Sequence, residues 1–256
     1  MAEYLKVGGI RLEYESIGEA QGNLPSLVLL HEGLGCVEMW RDFPQRLHEV
    51  TGRHVFAYSR QGYGRSDPKP APWSLDYMHL EGLEILPGVL DAAGLNDVVL
   101  VGHSDGASIS LIYAGGVKGH RASGLILMAP HVFNEAVSVA SIEQARTAYH
   151  ETDLRTRLRR YHGDNVDHAF LGWNGAWLDT GFLDWNIEHY LPAITVPTLL
   201  IQGKQDQYGT TEQVEAIERQ INGPVRCELL VDCRHSPHID QPLAVLASIK
   251  GFLARR

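Results

Sequence analysis

The stretch that decides the fold is Val98-Val99-Leu100-Val101-Gly102-His103-Ser104-Asp105-Gly106-Ala107-Ser108-Ile109. Its first four residues are apolar and mostly β-branched, which is typical of a strand buried on both faces of a parallel sheet. The apolar run breaks at Gly102, and helix-compatible residues follow Gly106. The pattern predicts a strand, a sharp turn and a helix. Ser104 would lie in a strained turn at the carboxyl edge of the sheet, where neighbouring Cβ atoms would collide with strand or helix.

The composition is that of a globular protein without a basic surface. The chain has 256 residues, 44% of them hydrophobic, and a net charge of −9. This charge disfavours nucleic acid and anionic membranes as partners, and no apolar run approaches the length that crosses a bilayer. The N-terminal residues lack a basic segment followed by an apolar one, so we expect no signal peptide and a cytoplasmic protein. Cys36, Cys227 and Cys233 lack C-x-x-C spacing, which favours buried thiols over a disulfide framework or metal site.

Further strands and helices are predicted on both sides of the central stretch. Residues 5–16 alternate around Gly8-Gly9, which predicts an antiparallel hairpin at a sheet edge. A short apolar run predicts a buried strand at residues 27–30, and further strands are predicted at residues 54–58, 125–128, 198–201 and 227–231. Helical spacing predicts helices at residues 39–50, 75–93, 211–221 and 242–254.

This order of elements resembles the α/β-hydrolase superfamily. The resemblance is carried by His31-Glu32-Gly33-Leu34-Gly35, by Arg60-Gln61-Gly62-Tyr63-Gly64-Arg65-Ser66, and by the G-x-S-x-G elbow around Ser104. It covers nearly the whole chain and implies an α/β fold with a mostly parallel eight-stranded sheet and helices on both faces. It also implies a helical cap after the sixth strand, so we expect a core at residues 1–130 and 195–256 and a cap at residues 131–194.

Within that resemblance, backbone N–H groups would bind an oxyanion. The first donor is the N–H of Asp105, directly after the serine, and the second falls on Gly33, with Leu34 as the alternative. The sequence departs from the family pattern where Glu32 replaces a glycine and Leu34 a proline. Ser59 stands where the family usually has an aspartate before the arginine, and we interpret it as part of the loop structure.

The predicted cap carries an aromatic segment, Phe170 to Leu178, and helical stretches at residues 141–151 and 153–161. Trp173 and Trp177 either form the core of the cap or line the substrate pocket, and both roles are compatible. We also count Leu34 and His103 among the candidate substrate-binding residues. Four arginines (Arg155, Arg157, Arg159 and Arg160) are interpreted as a solvated basic helix, with a clamp for an anionic substrate as the alternative.

The resemblance also implies the acid and the base. Asp206 follows the strand at residues 198–201, where the family carries its catalytic carboxylate, and Asp232 is interpreted as a turn residue. His235 aligns with the family's catalytic histidine, although Arg234 replaces the usual preceding glycine, and His238 is the alternative base. Ser104, Asp206 and His235 occur in the family's chain order, so His235 would activate Ser104 and Asp206 would orient His235.

The predicted activity is hydrolysis of a carboxylic ester or thioester of a small, apolar molecule through an acyl-enzyme, without cofactor or metal ion. Cleavage of a carbon–carbon bond in a diketone-like substrate is the nearest alternative. A lyase or cofactor-free oxygenase, and a hydrolase-like receptor, use the same fold and also stay open. Glu32 and Asp105 would disfavour anionic substrates if they faced the pocket, or would be structural if they paired with Arg60. The oligomeric state stays open, with a homodimer as one option.

Overall fold

The computed structural model describes residues 2–20, 22 and 24–254, and its organising element is an eight-stranded sheet. The strands are β1 (Glu3–Val7), β2 (Ile10–Ile17), β3 (Ser26–Leu30), β4 (Val55–Tyr58), β5 (Val98–His103), β6 (Ala122–Met128), β7 (Thr198–Gly203) and β8 (Val225–Leu230). Their order across the sheet is β1-β2-β4-β3-β5-β6-β7-β8. β2 is antiparallel to β1 and β4, and every other neighbouring pair is parallel. The predicted α/β fold with a mostly parallel sheet is confirmed.

The turn of the edge hairpin is formed by two glycines. Gly8 and Gly9 have φ values of 56° and 88°, which residues with a side chain rarely adopt, and the turn joins β1 to β2. The hairpin predicted from the alternating pattern is therefore present.

The central strand β5 is buried on both faces. Val98 and Leu100 belong to one hydrophobic cluster, and Val99 and Val101 to a second cluster on the opposite face. Side chains alternate between the faces of a strand, so an uninterrupted apolar run requires a layer of helices on each side. This arrangement places the end of β5 in the middle of the carboxyl edge of the sheet.

The helices are α1 (Phe43–Thr51), α2 (Tyr77–Leu80), α3 (Leu86–Ala92), α4 (Asp105–Gly116), α5 (Ala136–Glu151), α6 (Leu154–His162), α7 (Val166–Trp177), α8 (Glu212–Gln220), α9 (Pro237–Asp240) and α10 (Pro242–Leu253). Short 3₁₀ segments lie at Val37–Trp40, Gly163–Asn165, Thr180–Phe182 and Glu188–Ala193. Among the described residues no helix has the length and apolar character needed to span a membrane.

Two predicted helices are interrupted in the structure. The helix expected at residues 39–50 divides at Arg41, whose φ of 55° cannot continue a right-handed helix, and α1 starts afresh with Pro44 in its first turn. The helix expected at residues 75–93 consists of α2, a π turn at Glu81–Ile85 and α3. The wider turn ends two residues before Pro87, whose nitrogen has no hydrogen to donate to the preceding turn.

The insertion between β6 and β7 is helical. It contains α5, α6 and α7, and the aromatic segment from Phe170 onward, for which the sequence did not predict a helix, lies in α7. The division into a core at residues 1–130 and 195–256 and a cap at residues 131–194 stays a prediction.

Candidate active site

The turn between β5 and α4 holds Ser104 in a conformation that few residues adopt, with φ of 53° and ψ of −119°. A Cβ on Gly102 would lie 2.5 Å from the Cα of Ala107, and one on Gly106 would lie 2.0 Å from the carbonyl oxygen of Leu30. These contacts are with backbone, so no side chain fits at either glycine. The steric reason expected for the G-x-S-x-G spacing is present.

Ser104 is connected to Asp206 through His235. The Ser104 Oγ lies 3.0 Å from His235 Nε2, and His235 Nδ1 lies 2.9 Å from both carboxylate oxygens of Asp206. Since a carboxylate only accepts hydrogen bonds, Asp206 favours the tautomer with hydrogen on Nδ1. His235 Nε2 is then free to accept the Ser104 proton. The structure thus brings together the three residues predicted as nucleophile, base and acid.

Donors surround the carboxylate of Asp206. Its Oδ1 accepts hydrogen bonds from the N–H groups of Tyr208 at 2.8 Å and Gly209 at 3.3 Å, and its Oδ2 accepts one from Gln202 Nε2 at 2.9 Å. Burial acts to raise the pKa of Asp206, but the charge and hydrogen bond of His235 and the hydrogen bond from Tyr208 outweigh it and lower that pKa below its usual value. Asp206 is therefore held as an anion behind His235.

The two predicted oxyanion donors face the same cavity as Ser104. Gly33 and Asp105 both line it, and within the described part of the chain their N–H groups have no hydrogen-bond partner. The same is true of the N–H of Leu34, the alternative donor. The turn is closed by the Gly35 N–H, which donates to the carbonyl of Glu32 at 3.1 Å. Unpaired N–H groups beside a nucleophile are the arrangement that an oxyanion hole requires.

The side chain of Asp105 is part of a buried network below the site. The Tyr77 hydroxyl donates to Asp105 at 2.5 Å and accepts from Trp177 Nε1 at 3.0 Å. Arg60, which is 1% exposed, lies 4.0 Å from the carboxylate of Asp105 and donates to the carbonyl oxygens of His31 and Glu32. Burial raises the pKa of Asp105, while the charge of Arg60 acts to lower it. The carboxylate is thus paired with Arg60, as the structural interpretation expected.

Glu32 pairs with a histidine and not with Arg60. Its carboxylate lies 3.4 Å from His103 Nδ1, and His103 Nε2 lies 2.7 Å from the carbonyl oxygen of His235. Burial acts to raise the pKa of Glu32, but the hydrogen bond and charge of His103 lower it below its usual range. His103, the last residue of β5, is buried and is not part of the cavity wall, which differs from the expected substrate contact.

His238, the alternative base, lies in an aromatic cluster instead. Its ring centroid is 4.9 Å from that of Trp40 and 5.3 Å from that of Phe43. Burial is the main cause that lowers the pKa of His238 to about 3. The hydrogen bond to Ser104 comes from His235, so the geometry favours His235 as the base.

The cavity beside Ser104 has a volume of about 180 Å³. Three of the four candidate substrate-binding residues, Leu34, Trp173 and Trp177, line it. Trp173 also packs on the loop that follows β3, since a Cβ on Gly33 would lie 2.1 Å from its Nε1. The full lining is Glu32, Gly33, Leu34, Ser104, Asp105, His131, Ser138, Ile142, Trp173, Trp177, Gln207, Tyr208, His235 and Ser236.

Six of these residues were not predicted from the sequence, among them His131 and Tyr208, and the others are Ser138, Ile142, Gln207 and Ser236. His131 follows β6 and Tyr208 follows β7, so both lie at the carboxyl edge of the sheet. Their position after predicted strands was the available signal, because ligands of parallel sheets bind at that edge. Within the described residues no group of His, Cys, Asp and Glu side chains is arranged to hold a metal ion.

The arginines of α6 lie away from the cavity. Arg155, Arg157 and Arg159 form exposed ion pairs with Asp167, Asp153 and Asp164, respectively. None of the four α6 arginines lines the cavity around Ser104. The structure agrees with a solvated basic helix and offers no arginine clamp at this site.

Comparison with known proteins finds distantly similar proteins whose activities differ from one another. Epoxide hydrolase 4 of Mus musculus is 26% identical over 97% of this chain and 78% of its own length. A proline iminopeptidase of Saccharolobus solfataricus is 26% identical over 98% of this chain and 91% of its own length. An esterase structure from Exiguobacterium antarcticum superposes with a TM-score of 0.78 at 22% identity, covering 99% of this chain and all of the esterase chain.

The family itself follows from a match over most of the sequence. The profile of the alpha/beta hydrolase family matches residues 27–249, which span the sheet from β3 to β8 and all three residues of the Ser104–His235–Asp206 arrangement. This chain belongs to the alpha/beta hydrolase family.

Proposed function

We propose that the protein hydrolyses a carboxylic ester or thioester of a small molecule through an acyl-enzyme on Ser104. The observation that carries this proposal is the unbroken hydrogen-bond chain from Ser104 Oγ through His235 to Asp206. A serine hydroxyl is a weak nucleophile at neutral pH unless a base removes its proton in the transition state. His235 is placed to do so, and Asp206 stabilises the imidazolium that forms.

The reaction would proceed in two halves. Ser104 Oγ attacks the acyl carbon while His235 Nε2 takes its proton, and the N–H groups of Gly33 and Asp105 bind the oxygen that becomes negative. His235 then donates the proton to the leaving alcohol or thiol as the bond to the acyl carbon breaks. In the second half His235 takes a proton from water, which attacks the acyl carbon, and then returns that proton to Ser104 Oγ as the ester bond to Ser104 breaks and the acid is released.

The nucleophile type separates this activity from that of the epoxide hydrolase relatives. Attack of a serine oxygen on an epoxide carbon would form an ether, which lacks the carbonyl that an oxyanion hole can activate for hydrolysis. Asp105 cannot replace Ser104 as nucleophile, because its carboxylate is buried against Tyr77 and Arg60. An acyl substrate therefore suits this site better than an epoxide.

The test compares the wild-type protein with Ser104→Ala on p-nitrophenyl acetate and butyrate, on styrene oxide, and on proline p-nitroanilide. We expect the wild type to hydrolyse the esters and Ser104→Ala to lose on the order of 10⁴-fold or more in kcat. A fluorophosphonate should add to the wild type at Ser104, as peptide mass spectrometry would show.

Ser110→Ala is the matched control, because Ser110 is also a buried serine of the same region but donates to the Gly106 carbonyl, away from the cavity. It should retain ester hydrolysis. Ester hydrolysis that survives in Ser104→Ala, or turnover of the epoxide and not the esters, would refute the proposed function.

A further inference from the structure

The cavity contains a second histidine that the acyl-transfer steps do not use. His131 follows β6, is 3% exposed and lines the cavity together with Ser104 and His235. Its ring centroid lies 5.7 Å from that of His235 and 5.3 Å from that of Trp177. It is therefore adjacent to the reacting groups without belonging to the hydrogen-bond chain that activates Ser104.

One edge of the His131 ring is packed against backbone. A Cβ on Gly209 would lie 3.1 Å from Cε1 and 3.4 Å from Nδ1 of His131, so this edge faces the loop after β7. Nδ1 is buried without a hydrogen-bond partner, and no residue of the described chain bonds to Nε2 either. Nε2 is bonded to Cε1 at the end of this edge, and because His131 lines the cavity it is the nitrogen left for a ligand there.

The backbone around His131 is held on both sides. The Ser108 hydroxyl donates to the His131 carbonyl at 2.6 Å, and the Val132 N–H donates to Gln213 Oε1 at 2.8 Å. The T-shaped contact with Trp177 restrains the ring itself. A group fixed in this way loses little entropy when it bonds to a ligand, which is the requirement for precise positioning.

The charge state of His131 follows from its surroundings. Burial, and secondarily the charge of His235, lowers the pKa of His131 to about 3, so the ring is neutral and carries a single N–H. A buried N–H without a partner is rarer in proteins than a buried acceptor without one. The hydrogen therefore belongs on Nε2, which then presents a neutral donor to the cavity, while Nδ1 keeps its lone pair.

We propose that His131 is a substrate-positioning residue whose Nε2–H donates a hydrogen bond to a neutral acceptor oxygen, such as a ketone, close to the carbonyl that Ser104 attacks. This inference rests on the proposed function, since it names the kind of substrate that the same site takes. No lysine or arginine lines the cavity, whereas Glu32, whose side chain is partly exposed, does, so the acceptor is an uncharged oxygen rather than a carboxylate.

The test measures discrimination between three esters of similar size. Propyl pentanoate is the reference, propyl 4-oxopentanoate carries a ketone on the acyl side, and 2-oxopropyl pentanoate carries one on the alcohol side. For each keto ester, kcat/KM is divided by that of the reference ester, with acid release followed by pH-stat. The quotient cancels changes that affect all three esters equally, so a merely structural effect would not move it.

We expect His131→Phe, which keeps a ring but has no donor, to lower this quotient about tenfold for one of the keto esters, the effect of one lost hydrogen bond. His131→Gln retains an N–H and should restore part of it, and His131→Leu serves as a second variant without a donor. His120→Leu is the matched control, because His120 also has a buried, unpaired Nδ1 but does not line the cavity. Its quotient should equal that of the wild type.

A binding measurement separates this inference from the proposed function. Calorimetry compares the dissociation constants of the three esters for Ser104→Ala and for Ser104→Ala/His131→Phe. Preferred binding of a keto ester that disappears in the double variant would support the role of His131 even if the wild type hydrolysed none of the esters. Hydrolysis with quotients unchanged in His131→Phe and His131→Leu would overturn it, as would binding without a preference for either ketone.

Discussion

Asp206→Asn is the change that tests the arrangement around His235 most directly. The Asp206 carboxylate accepts from His235 Nδ1, Gln202 Nε2 and the N–H groups of Tyr208 and Gly209. An asparagine in this position brings an NH₂ group among these donors. If its oxygen keeps the bonds from Tyr208 and Gly209, its NH₂ group faces His235 Nδ1 and Gln202.

The consequence for His235 is a change of tautomer. The NH₂ group of the asparagine would donate to Nδ1, so the ring hydrogen would move to Nε2, the atom that lies 3.0 Å from Ser104 Oγ. Nε2 could then no longer accept the Ser104 proton. In other enzymes with a serine, histidine and aspartate triad this substitution costs about 10⁴-fold in kcat, which corresponds to about 5.5 kcal/mol of barrier. We expect a loss of that order here.

The assay is stopped-flow hydrolysis of p-nitrophenyl butyrate, with circular dichroism to establish that the variant is folded. Asp232→Asn is the matched control: Asp232 is exposed with φ of 53°, a conformation that asparagine also tolerates, and should retain wild-type kcat. A folded Asp206→Asn protein within about tenfold of wild-type kcat would refute the assigned role of Asp206. So would an equal loss in Asp232→Asn.

Three further predictions follow from the contacts of the site. His235→Ala should lose as much kcat as Ser104→Ala, because the two residues act as one unit. His238→Ala should mainly lower the free energy of unfolding, by about 2–4 kcal/mol in urea titrations, because it leaves a cavity beside Trp40 and Phe43. A larger loss of kcat in His238→Ala than in His235→Ala would assign the role of base to His238. Arg60→Met should lower the free energy of unfolding by about 3–5 kcal/mol in thermal or urea unfolding, because it leaves the buried Asp105 carboxylate without its cation. Adding Asp105→Asn should restore part of that free energy. A double variant no more stable than Arg60→Met would contradict the pairing of Arg60 with Asp105. Since the pKa of Asp206 is lowered by folding, its ionised form stabilises the protein above the unfolded pKa of about 3.9, and this stabilisation is lost as the pH falls through the lower folded value. The difference in unfolding free energy between wild type and Asp206→Asn should therefore shrink below about pH 4 in urea titrations, and a difference that grew on acidification would show the opposite sign of the shift.

Local patterns in the sequence predicted the frame of the molecule. The apolar run of β5 required helices on both faces, and the two glycines around Ser104 required a turn in which no Cβ fits, because these constraints act between residues close in the chain. The resemblance to a known family added the order Ser104, Asp206, His235, which the fold brings within hydrogen-bonding distance.

The tertiary structure alone decided where the remaining polar side chains point. The Asp105 carboxylate contacts Tyr77 and Arg60 and the Glu32 carboxylate contacts His103, whereas the sequence left the orientation of both acids open. His131 lines the cavity because β6 lies beside β5 in the sheet and because the Ser108 hydroxyl donates a hydrogen bond to the His131 carbonyl. Local sequence determines which residues stand at the carboxyl edge of the sheet, but the direction of each side chain depends on packing between segments far apart in the chain, and no local pattern records that packing.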